Sequence, residues 1–378
     1  MNDPLEIIAA NRGRGGADPS IPVQRVATSC NTEAWKHCGM GAHEEGRDVD
    51  RARRPEPNRS GSNDETRVSM TGRGLHHVTV IATDCTRNLD FYTRVLGLRL
   101  VKRTVTHEDP GAYHLFYGSR DGAPGDRLSF FSWRSVNAAI KGAGEGHSVS
   151  FAIPPGATAW WKRRLGEEGF DVRPGRTPFG QEALAVEDPD GTQLWLVAAD
   201  MPGQEELRPS PGIPPEFALR GLLGVTLEVR TVAPLAAILE NVLGFAETGR
   251  ARNWLRLAAH SGPGGEIWLH ESPERLLGRL GAGTVHHIAF RARDEADQAR
   301  MAELLKDGFG IPASVVKDRT YFRSIYFRSP DGILVEISTD GPGFLIDEAP
   351  DELGRRLMLP PELEPLRQDL LLILPPLS

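Results

Sequence analysis

Cysteine is scarce in this sequence, and so are long apolar runs and any excess of positive charge. Three cysteines among 378 residues cannot build a disulfide framework, so a reducing, cytoplasmic environment is predicted. The longest apolar run, LLLIL near the C-terminus, is far shorter than the roughly 20 residues that span a bilayer. We therefore expect a globular protein without disulfides and without a membrane span.

The charge distribution gives no reason to expect nucleic acid as a partner. The formal net charge is -7, and basic residues alternate with acidic ones instead of forming stripes. Cys30, His37 and Cys38 lie close together, but their spacing does not match a zinc site and no second ligand pair follows. Small-molecule partners are the default expectation.

Residues 1–72 differ in composition from the rest of the chain. They are rich in Gly, Pro, Arg, Ser and acidic residues and poor in aromatics, so they cannot bury enough apolar area to offset the entropy of ordering. The segment also lacks the apolar core of a secretory signal, and its acidic residues argue against a transit peptide. We predict a disordered extension, with Met70 as an alternative start.

From residue 74 onward the sequence repeats itself. GLHHVTVIATDCTRNLDFYTRVLG at 74 and GLLGVTLEVRTVAPLAAILENVLG at 221 each predict a strand, a turn and a helix that ends at a glycine, Gly97 or Gly244. GHSVSFAI at 146 and VHHIAFRA at 285 open two further units, and both of these close on a Pro-Asp-Gly turn before a final strand. Four similar units predict domains at 74–200 and 219–341, a linker at 201–218 and a tail at 342–378.

This repeat resembles the vicinal oxygen chelate superfamily, and more narrowly its ring-cleaving dioxygenases that act on hydroquinones and chlorohydroquinones. The patches that carry the resemblance span residues 74–366 and are GLHHVT, DFYTRVLGLRLVKRTV, YHLFYG, PGDRLSFFSW, TPFGQ, DRTYFRSIYFRSPDGILVEISTDGPGF and DELGRRLMLPPELEP. The resemblance implies an α+β fold of four βαβββ modules paired into two vicinal oxygen chelate domains. It also implies a metal held between modules.

Comparison of the four units predicts the metal ligands. Unit one has His77 and unit four has His287 where units two and three have Ser148 and Gly224. In the closing strand, unit four has a glutamate in the apolar segment ILVEIS, where unit two has a tryptophan, and a buried carboxylate is costly unless it is paired or bound to metal. His77, His287 and Glu336 therefore form a candidate facial triad, which suits non-haem Fe(II). The resemblance assigns the same three positions to iron.

Five further residues complete the candidate site. Strand alternation predicts that His76 and His286, which precede the two ligand histidines, point away from the ligand face; they are either hydrogen-bond partners and proton shuttles or structural. Thr79 lies on the same strand face as His77 and is expected to line the substrate pocket. Arg319 and Tyr326 match the family's pocket-lining positions, where they could orient a substrate oxygen.

Two other histidines are interpreted as structural at this point. His114 in YHLFYG is expected to pack near the sheet. His270 in EIWLHE has no partner histidine at the start of the second or third unit.

The function that the resemblance implies is Fe(II)-dependent insertion of O2 into a hydroquinone-type ring, with a small aromatic substrate and a homo-oligomeric state. Two alternatives remain open. One is a glyoxalase-like isomerase or thiol transferase that uses Zn(II), Ni(II) or Mn(II). Sites of that kind typically include a second carboxylate, and the closing strand of unit one, RLSFFSW, contains no acid. The other is a metal-free binding or resistance protein of the same fold.

Overall fold

The computed structural model describes residues 72–118, 122–202 and 212–377. The predicted extension, including Cys30, Cys38 and Met70, lies outside these residues except for its last position, as does most of the predicted linker. Among the described residues, no helix is long and apolar enough to cross a membrane.

Four modules of the same βαβββ order follow one another, which confirms the predicted fold class. Module one consists of β1 (Leu75–Ala82), α1 (Cys85–Asp90), β2 (Arg99–Val105), β3 (Tyr113–Gly118) and β4 (Leu128–Ser132). Module two consists of β5 (Glu145–Ile153), α2 (Thr158–Glu167), β6 (Arg173–Arg176), β7 (Glu182–Glu187) and β8 (Gln193–Ala198).

Modules three and four repeat this order. Module three consists of β9 (Gly221–Val229), α3 (Val232–Asn241), β10 (Ala246–Ala251), β11 (Trp254–Ala258) and β12 (Glu266–Glu271). Module four consists of β13 (Val285–Ala292), α4 (Glu295–Phe309), β14 (Lys317–Asp318), β15 (Phe322–Arg328) and β16 (Leu334–Pro342). The tail adds short 3-10 turns and a last helix, α5 (Arg367–Ile373).

The helix ends follow from the sequence. The helical segment of module one continues past α1 as a wider π-helical turn, Phe91–Val95. Gly97 and Gly244 then adopt left-handed φ values of 78° and 72°, which are accessible to glycine because it has no Cβ. Both predicted helix stops are confirmed.

The first strands of the modules pair across the molecule. Strand β1 pairs antiparallel with β13, and β5 pairs antiparallel with β9. Within each module the first strand lies parallel to the last one, as β1 does to β4 and β13 to β16. Module one is thus joined to module four, and module two to module three.

Strand alternation separates the core from the opposite face of the sheet. Val78 and Val80 of β1 are fully buried within the main hydrophobic core, so the residues that alternate with them along the strand point to the other side. His77 and Thr79 lie on that other side, which we call the site face.

One β-bulge interrupts each strand at the module junctions. The β1–β13 register shifts between Leu75 and His77 and again between His287 and Val285, so His76 and His286 are the extra residues. The β5–β9 ladder shifts at His147 and Leu223, which hold the equivalent places. The bulge is therefore a repeated feature of the fold and not a local accident.

Candidate metal centre

Three side chains from different strands converge on the site face between modules one and four. His77 comes from β1, His287 from β13 and Glu336 from β16, and each is at most 5% exposed. The His287 Nε2 atom lies 3.0 Å from Glu336 Oε2 and 3.2 Å from His77 Nε2. His77 Nε2 is 3.8 Å from the same carboxylate oxygen. The structure therefore brings the three predicted ligands together.

The protonation states of this group suit metal binding. Burial lowers the pKa of His77 to about 3, so its imidazole is neutral at physiological pH and has a free lone pair. Burial alone would raise the pKa of Glu336, but the hydrogen bond and charge of His287, with His77 and Ser324, hold it well below its usual range. A neutral imidazole and a carboxylate are both available as donors.

The donor set also fits the metal by its spacing. Among the described residues, these three form the group of His, Cys, Asp or Glu whose ligand atoms all lie within 4.8 Å of one another. Ligand atoms about 2.1 Å from an ion and at right angles to each other are about 3 Å apart. The atoms of His287 lie at this spacing from Glu336 and from His77, whereas His77 and Glu336 are 3.8 Å apart. Two imidazoles and one carboxylate on one face are the set typical of non-haem Fe(II).

The second oxygen of Glu336 is held by two serines. Oε1 accepts hydrogen bonds from Ser324 Oγ at 2.5 Å and from Ser338 Oγ at 2.7 Å. These bonds orient the carboxylate so that Oε2 points toward the histidines. Outer partners of this kind tune the affinity of metal ligands.

Strand alternation predicts that His76 and His286 point away from the ligand face, and this prediction is wrong. His76 Nδ1 lies 2.8 Å from His77 Nδ1, and His286 Nδ1 lies 2.8 Å from His287 Nδ1. The reason is the bulge, because an extra residue breaks the alternation and turns two successive side chains toward the same region. Each pair shares one hydrogen bond through Nδ1, which leaves Nε2 of the candidate ligand directed at the centre.

Thr79 lies at the site as expected, and it is connected to Ser129, which the sequence did not single out, and through Ser129 to His114. Its Oγ1 is 3.0 Å from His287 Nε2 and 2.7 Å from Ser129 Oγ. Ser129 Oγ is in turn 3.1 Å from His114 Nε2. The interpretation of His114 as a packing residue is therefore incomplete, because a hydrogen-bonded chain joins it to the site.

Arg319 and Tyr326 contact each other beside the triad. Arg319 Nε donates to Tyr326 Oη at 3.1 Å, and Arg319 Nη2 lies 2.7 Å from Glu108 Oε1. Burial and the nearby Glu336 raise the pKa of Tyr326, so the phenol stays protonated and can donate. Burial opposes the charge of Arg319, but Tyr326, Glu108 and Glu336 raise its pKa, and it stays positive.

Strand pairing identifies the residues that take Glu336's place in the other modules. Glu336 pairs with Ala289 of β13, and the equivalent pairs are Thr79 with Ser129, Ser150 with Trp195 and Thr226 with Trp268. Module one thus has a serine at this place, and modules two and three have tryptophans whose rings pack against each other at 6.3 Å.

The ligand positions of modules two and three are also unsuitable for metal. Ser148 replaces the histidine in module two. At Gly224 in module three, an added Cβ would lie 2.1 Å from the carbonyl oxygen of Glu266, so no side chain fits without a backbone shift. His270 contacts Glu228 and Asn253, in keeping with its interpretation as structural.

Sequence reasoning missed Ser129, Glu108 and the two serines that hold Glu336, and it assigned His114 a packing role alone. Ser129 belongs to RLSFFSW, the closing strand of unit one, where the lack of an acid was predicted but the serine in its place was not singled out. Glu108 belongs to a loop, and its contact with Arg319 has no signal in the sequence.

Comparisons with known proteins identify the family of the chain. The family model described as Glyoxalase/Bleomycin resistance protein/Dioxygenase superfamily matches residues 74–196 and 221–337. A Bacillus subtilis (strain 168) protein with the provisional name ring-cleaving dioxygenase MhqE is 39% identical over 82% of this chain and 100% of its own length. The chlorohydroquinone/hydroquinone 1,2-dioxygenase of Sphingobium indicum is 34% identical over 79% of this chain and 94% of its own.

A solved structure extends the comparison to the fold. The crystal structure of a provisionally named dioxygenase from Bacillus subtilis has a TM-score of 0.77 and 37% identity, and the match covers 82% of this chain and 99% of that one. The chain belongs to the Glyoxalase/Bleomycin resistance protein/Dioxygenase superfamily.

Proposed function

We propose that this protein is an Fe(II)-dependent dioxygenase that inserts O2 into a hydroquinone-type aromatic ring and opens it. The observation that carries the proposal is the buried triad of His77, His287 and Glu336, whose ligand atoms lie within 4.8 Å. The names of the relatives from Bacillus subtilis and Sphingobium indicum point to the same reaction class.

His77, His287 and Glu336 would hold the iron. A ferrous ion bound there supplies open positions for a substrate oxygen and O2, together with the redox chemistry that lets them react. His76 and His286 would fix the rings of the two ligand histidines through their shared Nδ1 hydrogen bonds, and Ser324 and Ser338 would fix the carboxylate.

The remaining residues act on the substrate. A hydroquinone has no second hydroxyl next to the first, so it needs protein groups to set its orientation. Arg319 and Tyr326 offer one positive charge and one phenol donor beside the triad, where they would stabilise negative charge that develops on a ring oxygen. The aromatic rings of Phe116 and Phe322, with centroids 6.0 Å and 5.4 Å from that of His77, would contact the substrate ring and exclude water.

A glyoxalase-like isomerase fits this site less well. Such a centre needs a second carboxylate in module one, and the place equivalent to Glu336 there is Ser129. A hydroxyl that already bonds to Thr79 and His114 is a poor substitute for a carboxylate ligand. The homo-oligomeric state and the cytoplasmic location remain predictions.

The test is oxygen uptake after anaerobic loading with Fe(II). Hydroquinone, methylhydroquinone, chlorohydroquinone and catechol are compared in parallel, and the ring-opened product is identified by mass spectrometry. We expect uptake with the hydroquinones, and no uptake and no stoichiometric iron in His77→Ala or Glu336→Ala. Ser148→Ala, which changes the equivalent place in module two, is the matched control and should keep both.

Two results would contradict the proposal. No uptake with any of the four compounds by iron-loaded protein would reject the dioxygenase function. Tight binding of the aromatic compounds that is the same with and without metal would favour a binding protein.

A further inference from the structure

A row of polar side chains crosses the site face of module one, from β1 through β4 to β3. It starts at Thr79, next to His287 Nε2, continues through Ser129 and ends at His114, with successive separations of 3.0, 2.7 and 3.1 Å. Thr79 and Ser129 are both fully buried. Each hydroxyl can donate one hydrogen bond and accept another, so the row can carry a proton.

His114 has the surroundings of a terminal proton acceptor. It is partly buried and keeps some accessible surface, as His286 and Tyr326 do. Its ring packs on Phe116 and Phe131, with centroid distances of 4.0 and 4.5 Å. Its Nε2 lies 3.1 Å from Ser129 Oγ, and a neutral imidazole can accept a proton at its unprotonated nitrogen.

The other histidines near the centre are less suitable for this role. His76 is fully buried, its Nδ1 contacts the candidate ligand His77, and its Nε2 has no hydrogen-bond partner among the described residues. His286 contacts His287 directly through Nδ1. His114 is the histidine that two hydroxyls connect to the site.

A buried hydroxyl without a partner lies beside the end of the row. Thr104 of β2 pairs with His114 across the β2–β3 ladder, and its Oγ1 is buried with no hydrogen-bond partner among the described residues. Leaving such a group unsatisfied costs about 1–3 kcal/mol. A water at this place would satisfy it and could pass a proton onward.

We propose that Thr79, Ser129 and His114 form a proton relay that accepts the hydroxyl proton of an aromatic substrate bound at the triad. The relay deepens the dioxygenase function proposed above and rests on it for the identity of the substrate. Ser129 takes the place that a second carboxylate would need, so module one contributes proton transfer where module four contributes a ligand.

In this transfer, one proton leaves the substrate hydroxyl and one proton arrives at His114. The substrate O–H bond breaks, and its proton goes to Thr79 Oγ1 while the proton of Thr79 goes to Ser129 Oγ. Ser129 passes its own proton to His114 Nε2. The result is an aryl oxide at the site and a protonated His114, and no electrons leave the substrate in this step.

The experiment follows ionisation and not turnover. A nitrophenol whose anion is coloured is mixed, without oxygen, with metal-loaded protein at a pH below the phenol's own pKa, and the appearance of the anion is recorded by stopped flow. Loss of a general base typically costs 10²–10⁴-fold in rate. We expect Ser129→Ala and His114→Ala to slow anion formation by about 100-fold, with an unchanged metal content.

Two rescue measurements separate a relay from a packing role. Ser129→Thr keeps the hydroxyl and should restore the rate, and added imidazole should restore it in His114→Ala but not in Ser129→Ala. Equal rates in all variants, or slow rates that neither rescue restores, would overturn the relay, as would a wild-type protein that does not ionise the phenol. If Ser129→Ala fails to fold, His114→Ala with and without imidazole decides the question.

The relay and the proposed function fail in different ways. Fast, rescuable anion formation without oxygen uptake would reject the dioxygenase and keep the relay. Oxygen uptake that survives Ser129→Ala and His114→Ala unchanged would reject the relay alone.

Discussion

The buried histidines of the centre make the metal-free protein sensitive to acid. His77 stays neutral in the folded state down to a pKa of about 3, whereas in the unfolded chain it takes a proton near pH 6.5. Because the folded pKa is depressed, the unfolded state binds more protons as the pH falls below about 6.5, and the folded state loses stability.

The loss in the free energy of unfolding depends little on the exact pKa of His77 in the folded state. Between about pH 7.5 and about pH 5.5, a histidine that remains neutral when folded reduces the free energy of unfolding by about 1.4 kcal/mol. The pKa values of His76, His114 and His286 are also lowered by burial, so we expect each of them to change stability in the same direction.

The assay is urea unfolding of chelator-treated protein at both pH values. His77→Gln removes one titrating group, so its loss of stability between the two pH values should be smaller than that of the wild type by about 1.4 kcal/mol. Ser148→Ala removes no titrating group and should match the wild type. Equal losses in His77→Gln and the wild type would refute the conclusion that His77 is buried and neutral.

Three further predictions concern the surroundings of the site. Lys102 is fully buried, and its Nζ donates to Glu348 of the tail at 2.5 Å. Lys102→Met should lower the free energy of unfolding by about 3–5 kcal/mol, because it leaves a buried carboxylate unpaired. The double variant Lys102→Met, Glu348→Leu should recover most of this loss in urea unfolding. Arg319→Gln should lower kcat/KM for hydroquinone by about 100-fold without loss of iron; a change in KM only would assign it to binding. Glu108 is half exposed, so Glu108→Gln should change the melting temperature by an amount that corresponds to less than about 1 kcal/mol.

The fold and the convergence of three side chains could be predicted from the sequence because its four units can be compared with one another. Residues that differ between equivalent places, such as His77 and Gly224, stand out against the pattern of the module. No alignment with other proteins is needed for that comparison.

What the sequence could not supply was the geometry that depends on register. Alternation assigns His76 to the wrong face because a bulge cannot be recognised from a strand that reads as regular. The contact between His114 and Ser129 depends on how β3 is offset against β4, and the pairing of Glu108 with Arg319 depends on two loops from different modules. These features belong to tertiary packing, and local patterns do not encode them.

The crowded backbone at Gly224 has a consequence for how the duplicated modules divided their work. Restoring a histidine in module two would need only Ser148→His, but a matching ligand from module three would meet the backbone of β12 at once. A centre between modules two and three would therefore need a backbone shift as well as substitutions, and the packed rings of Trp195 and Trp268 take the places equivalent to Glu336. Titration with metal should accordingly fill a single site among the four modules, between modules one and four.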